Sequence, residues 1–239
     1  APARIPQAGT ADRTPSRSAA AATLAVVPTP FSGFDDAFRW LAARTNYETM
    51  ATQRYDERTY GLARVHALLD DAGRPDRGMA CVQVVGSKGK GSAAAMAAAI
   101  LRRSGRRTGL FTSPHLVDPR ERIAVDGADA ADAVVGAALE RLTPHVERAA
   151  AAGAPCTFFE IHTAAALLTF RAAGCDAVVL EAGMGGRLDA TTAADVRAVA
   201  LTSLSLDHTA QLGATVPEVA REKAAAARPG RPLVCGVRE

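Results

Sequence analysis

The chain has 239 residues, 48% of them hydrophobic, and a formal net charge of +3 at neutral pH. That apolar content can build a core and excludes wholesale disorder, and there is no run of about 18 strongly apolar residues to span a membrane. Much of the charge excess sits in residues 1–32, where Arg4, Arg13 and Arg17 face only Asp12; the remaining body is nearly neutral and its aromatics are scarce, which argues against a nucleic-acid partner.

Residues 1–32 are rich in Ala, Pro, Ser and Thr without periodicity and are expected to form a flexible tail, with residues 33–239 as one α/β domain. The Arg-bearing, acid-poor tail also suits a transit peptide, although Ala and Arg abound throughout the chain. Helical spacing covers Phe34–Ala43 and Leu62–Ala72, and Ala80–Val85 is an apolar run of strand length. A Gly-rich stretch, Gly86–Gly91, follows, then an Ala-rich helix over Ser92–Ser104 with Gly105 as its stop. Further strands are expected at Thr108–Thr112, Asp176–Glu181, Val196–Ser203 and Leu233–Val237. Further helices are expected at Ala130–Ala152, Glu160–Ala173 and Pro217–Ala227, the last with Thr215 as its cap. This alternation predicts a mostly parallel sheet with helices on both faces, whose ligands collect beyond the carboxyl ends of the strands.

The four cysteines, Cys81, Cys156, Cys175 and Cys235, are scattered without a C-x-x-C pair. They read as buried thiols of a reducing, cytoplasmic compartment, neither a disulfide framework nor a zinc site. Of the 28 Lys and Arg residues only three are lysines, Lys88, Lys90 and Lys223. Each therefore invites the question of what arginine could not do there.

Two of the three lie in Gly86-Ser87-Lys88-Gly89-Lys90-Gly91-Ser92, directly after a strand and before a helix. Glycines let backbone N–H groups turn toward one point, the helix N-terminus adds positive potential, and a lysine reaches the terminal phosphates. The stretch is shorter than the strict G-x-x-x-x-G-K-[ST] pattern, with Gly91 between lysine and serine. Ser113, after the next strand, suits either a phosphate-bound Mg²⁺ or a simple Ser-Pro turn. Glu181 ends an apolar strand and suits either Mg²⁺ or a capping role. His208 stands beyond another strand, as a metal ligand or a structural histidine. Lys223 follows the apolar face of its helix with Val216, Val219, Ala220, Ala224 and Ala227. It either snorkels or, partly buried, loses its proton and takes up CO₂ as a carbamate, which arginine cannot do.

With these residues in place the chain resembles the folylpolyglutamate synthase and dihydrofolate synthase family of Mur-ligase-like, ATP-dependent amide ligases. The resemblance rests on Thr45–Glu48, Gly86–Ser92, Thr112–Leu116, Glu121–Ile123, Phe158–Glu160, Leu180–Glu181, Gly185–Thr191, Asp207–Thr209 and Arg221–Ala224. It implies that Ser87, Lys88, Gly89, Lys90, Gly91 and Ser92 bind ATP phosphates. Ser113 and Glu181 would hold one Mg²⁺, and Glu181, His208 and carbamylated Lys223 a second. Lys90, His208 and Lys223 would be catalytic. Thr157, Phe158, Phe159, Glu160, Leu188, Asp189 and Ala190 match the family's pteroate-binding positions. The implied reaction phosphorylates a pteroate or folyl carboxylate with ATP, and the amine of glutamate attacks the acyl phosphate. The chain differs from many members in having Ser87-Lys88 for Thr-Asn and Thr192 for asparagine. Members continue into a second α/β domain, so this chain is expected to be a monomeric N-terminal portion that does not turn over alone. A nucleotide-binding module without ligase activity and a sister Mur-type amino-acid ligase are the rival readings; Ser113–Leu116 and Phe158–Glu160 argue against the second.

Overall fold

The computed structural model describes residues 31–50 and 55–237. The expected tail lies outside the described residues except for Phe31, whose ring packs 5.6 Å from that of Trp40, and Ser32, which donates to Asp36. Among the described residues seven strands form one sheet: β1 Ala80–Val85, β2 Thr108–Phe111, β3 Ile123–Val125, β4 Ala128–Asp129, β5 Ala177–Glu181, β6 Val196–Leu201 and β7 Leu233–Cys235. Their order is β4-β3-β2-β5-β1-β6-β7. The run β2-β5-β1-β6-β7 is parallel, and β3 and β4 extend it as an antiparallel hairpin. The hairpin lies in what the sequence presents as a polar loop, because its strands are too short to show an alternating pattern.

The helices are α1 Phe34–Ala42, α2 Glu57–Tyr60, α3 Ala63–Asp71, α4 Lys90–Arg103, α5 Asp132–Ala151, α6 Phe158–Ala172, α7 Thr209–Leu212 and α8 Val216–Ala224. One sheet face is covered by α4, whose small Ala93, Ala94 and Ala97 sit against Val84 and Val179. The other face holds the main core, where α1, α3, α5 and α6 contribute Leu41, Leu69, Leu142 and Leu167. Helix α6 is buried almost all round, as a helix without a polar face must be. The fold is thus the expected α/β sheet with helices on both faces.

Boundaries shift where capping decides them. Helix α4 starts two residues before the expected Ser92, because Gly89 adopts a left-handed conformation (φ 77°) that only glycine takes readily and so turns the chain into the helix at Lys90. Helix α6 starts at Phe158, set by a capping box in which Thr157 and Glu160 satisfy each other's backbone N–H. Thr215 caps α8 as expected, its N–H and hydroxyl both donating to Glu218. Cys81, Cys156 and Cys175 are buried thiols, but Cys235 is exposed because β7 is the edge strand.

His162, on α6, is buried among Phe38, Phe111 and Phe158, with ring centroids 6.2, 5.4 and 5.3 Å away. Burial, helped by the charges of Arg122 and His115, pushes its pKa down to about 3. The unfolded chain therefore binds a proton that the folded one refuses, and stability is lost as pH falls from the ordinary histidine value toward about 3. Urea unfolding should show His162→Leu gaining stability relative to wild type between about pH 7 and about pH 4.5. An identical difference at both pH values would refute the assignment.

Candidate functional site

Strand order reverses around β1: the chain leaves β1 for β2 on one side and later runs from β5 to β6 on the other. In such sheets the crevice at the carboxyl ends of those strands is the ligand site. A cleft of about 510 Å³ opens there, lined by Lys90, Ser113, Thr157, Phe159, Glu160, Leu188, Asp189, Ala190 and His208 among others. Nine of the sequence-predicted site residues thus share one cavity.

The Gly86–Gly89 loop is held by the segment after β6. Ser87 Oγ donates to the Ser205 carbonyl (3.0 Å) and accepts from the Ser205 N–H (3.1 Å). The Lys88 N–H donates to Ser203 Oγ, and the Thr202 and Ser203 hydroxyls donate back to the Lys88 carbonyl. Ser87 is accordingly buried and shapes the loop with its side chain. No side chain caps α4, so the N–H groups of its first turn remain for an anion, beside Lys90.

Glu181, 5% exposed at the end of β5, lies under that first turn, since a Cβ on Gly91 would come within 3.4 Å of both carboxylate oxygens. Burial raises its pKa, while the Ser113 N–H at 3.1 Å and the Lys90 charge lower it. Ser113 Oγ is buried and has no hydrogen-bond partner among the described residues. An orphaned hydroxyl beside a desolvated carboxylate is a set of hard oxygen donors, which fits Mg²⁺ completed by phosphate oxygens and water. Among the described residues no group of three His, Cys, Asp or Glu is placed to hold a metal unaided.

Lys223 points inward and does not snorkel: it is 2% exposed, and its Nζ donates to the Gly86 carbonyl at 3.0 Å. Burial, then the charge of Lys90, pulls its pKa down to about 8 against the opposing pull of Asp207 and Asp189. His208 is no buried structural histidine either. Its side chain is 47% exposed, and its backbone is left-handed (φ 48°), an uncommon state for a non-glycine residue that merits a functional reading.

The predicted pteroate-side residues divide. Phe159, Leu188 and Ala190 line the cleft, whereas Phe158 is buried in the core against Phe38 and His162. Helical geometry turns successive residues to different faces, so one of two adjacent phenylalanines had to point away. Asp189 accepts from the N–H groups of Gly183, Met184 and Thr191, folding the turn that it ends. Glu160 is held by Arg64, which donates to it at 2.8, 3.1 and 3.2 Å. Thr192, where the family often has asparagine, hydrogen-bonds Gln83 and the Gly186 carbonyl.

Arg64 and Tyr60 line the cleft without having been singled out from the sequence, and Tyr47, within the family-like segment Thr45–Glu48, lines it with no role assigned to it there. The available signal was that all three tyrosines, at 47, 55 and 60, fall within one short stretch. The family-like segments around β2 and β3 form one structure. Glu121 accepts the N–H groups of Leu116, Val117 and Asp118, and Arg122 clamps Glu48 through two bonds while donating to His115.

This is a Mur-ligase-like α/β domain with a glycine-rich loop at its switch point. The chain is homologous to the folylpolyglutamate and dihydrofolate synthases, over the N-terminal portion that its sequence leads one to expect. It is 50% identical over 176 residues to a probable bifunctional folylpolyglutamate synthase/dihydropteroate synthase of Haloferax volcanii, covering 74% of this chain and 21% of that one. It is 37% identical over 209 residues to the dihydrofolate synthase/folylpolyglutamate synthase of Mycobacterium tuberculosis, covering 83% and 41%. Among solved structures, Escherichia coli FolC in complex with DHPP and ADP superposes with a TM-score of 0.74 at 32% identity, covering 89% of this chain and 48% of that one. An FPGS–AMPPCP–folate complex gives 0.75 at 31% identity, covering 84% and 48%. No family model matches the chain. The chain spans less than half the length of these relatives, and among its described residues no helix is long and apolar enough to cross a membrane.

Breaking the Arg64–Glu160 pair should strip a largely buried guanidinium of its counter-charge. Glu160→Gln is expected to cost about 2–3 kcal/mol in urea unfolding, and Thr157→Ala about 1 kcal/mol through the lost cap. A cost near zero for Glu160→Gln would show that the pair does not hold this wall.

Proposed function

We propose that the chain is the ATP- and Mg²⁺-binding portion of a ligase that adds glutamate to dihydropteroate, tetrahydrofolate or both. The observation that carries this reading is the meeting of an uncapped helix end, Lys90, Ser113 and Glu181 at a cleft that is also lined by Tyr47, Tyr60, Phe159 and Leu188. Such a cleft suits a phosphoryl donor at one end and a flat carboxylic acid at the other.

In this reading ATP phosphorylates the acid's carboxylate, the glutamate amine attacks the acyl carbon, an amide bond forms and phosphate leaves. Lys90 and the N–H groups of α4 offset charge developing on the transferred phosphoryl group, and the cleft walls align the acid for in-line attack. Ser113 and Glu181 would hold one Mg²⁺, and Glu181, His208 and Lys223 a second, the last as a carbamate. The cations would supply charge neutralisation on the phosphates. A lysine with its pKa near 8 is partly neutral at physiological pH, and the neutral amine is the form that combines with CO₂. Lys90 stands close enough to influence that amine and would stabilise the anionic carbamate once formed. The protein works in the cytoplasm as a monomer.

The test is paired. Calorimetry with AMP-PCP and Mg²⁺ reads nucleotide binding, and an assay of the full-length form for ATP-dependent glutamate addition to dihydropteroate and tetrahydrofolate reads the chemistry. Binding without either product would favour a nucleotide-binding module; no binding would remove both readings. Lys90→Met should weaken AMP-PCP by at least about tenfold, since a charge-assisted phosphate contact contributes over 1.4 kcal/mol. With ¹³C-bicarbonate, a carbamate resonance should grow as pH rises through about 8 and be missing from Lys223→Met. A spectrum without that resonance at any pH would remove the carbamate from the scheme.

A further inference from the structure

The Gly183–Asp189 turn brings Leu188 and Asp189 to the cleft, yet much of what holds it is supplied by two separate parts of the chain. On one flank the Tyr55 hydroxyl accepts the Leu188 N–H at 3.1 Å, and Glu57 lies 3.6 Å from Arg187. On the other, the Arg187 N–H donates to the Glu222 carbonyl at 2.9 Å, and its Nε donates to both Glu222 carboxylate oxygens at 3.1 and 3.0 Å. The fit is close, for a Cβ on Gly186 would come within 2.6 Å of the Lys223 carbonyl oxygen. Arg187 is thus the one side chain of the turn paired with acids on both flanks. The Tyr55 ring also packs at a tilt against Tyr60, centroids 5.1 Å apart, and Tyr60 likewise against Tyr47 at 4.9 Å, so the same side chain joins the turn to the aromatic wall of the cleft.

We infer that Tyr55 and Arg187 are positioning residues, which lock the Gly183–Asp189 turn between the tyrosine wall and the end of α8 and so set the width of the acid-binding half of the cleft. Neither needs to touch the ligand. Tyr55 removes the freedom of a backbone N–H that would otherwise exchange with water, and Arg187 ties the turn to α8 through charge-assisted bonds. Because the turn walls the acid side and the phosphate loop walls the other, loosening it should affect the two ligands unequally. The inference rests on the ligase reading for the identity of the acid.

Calorimetry on the whole chain would use 7,8-dihydropteroate and AMP-PCP as separate probes, with wild type, Tyr55→Phe, Arg187→Met and Arg187→Lys. Tyr55→Phe should raise the dihydropteroate Kd about fivefold, the worth of one hydrogen bond, and leave that of AMP-PCP unchanged. Arg187→Met should raise it further, and Arg187→Lys should restore part of the loss. Hydrogen exchange should show the Leu188 amide exchanging faster in Tyr55→Phe while core amides of α6 do not. Equal weakening of both ligands, or an unchanged Leu188 exchange rate, would overturn the positioning role while leaving the ligase reading intact. Wild-type protein that binds AMP-PCP but no dihydropteroate would overturn the assignment of the acid, and this inference with it.

Discussion

Glu181 stands at the carboxyl end of a strand buried along its whole length, and a carboxylate so far from water resists ionisation unless its surroundings favour the charge. The cleft is arranged around that difficulty. The Ser113 N–H reaches it from the end of β2, Lys90 lends its charge from the start of α4, and Gly91 leaves the helix without a side chain where the oxygens lie. The three come from two junctions, Lys90 and Gly91 from that between β1 and α4 and Ser113 from the end of β2. Parallel pairing of β2, β5 and β1 is what sets those junctions side by side.

The same logic of compensation extends to the other desolvated groups. Asp189 is buried, and burial raises its pKa, but four donors from its own turn and from Thr191 oppose the rise. Arg122, among the largest fully buried side chains, is answered by Glu48 and His115. Lys223 is the contrasting case. Its nearest partner is a neutral carbonyl, and its neighbour Lys90 is a like charge, so the environment favours the uncharged amine. In a chain that otherwise draws its positive charge from arginine, this is a position where arginine would carry an obligatory charge into the core.

The sequence carried the alternation of strands and helices, the phosphate loop and the residues at the strand ends, because hydrophobic period, glycine placement and chain polarity are local properties. It also carried the capping role of Thr215, which depends on a partner only three residues away. Less legible were the antiparallel hairpin β3–β4, whose strands are only three and two residues long, and the start of α4, which turned on the left-handed state of Gly89 rather than on Ser92. The pattern of a helical stretch did not reveal which of Phe158 and Phe159 faces the cleft.

Partnerships across long stretches of chain were beyond it. Ser87 is joined to Ser205, Glu160 to Arg64, and Leu188 to Tyr55, and no local pattern marks any of these pairs. By itself the sequence determined the class of fold, the glycine-rich turn between β1 and α4 and the chemical types available at the strand ends, since those follow from periodicity, glycine and side-chain chemistry. Only the tertiary structure decided that Ser113 Oγ is left unpartnered beside Glu181, that Lys223 points inward under the phosphate loop, and that the Gly183–Asp189 turn is clamped from two sides. The physical reason is desolvation and distance: both depend on what the rest of the chain places around a group, and neither is a property of its neighbours in sequence.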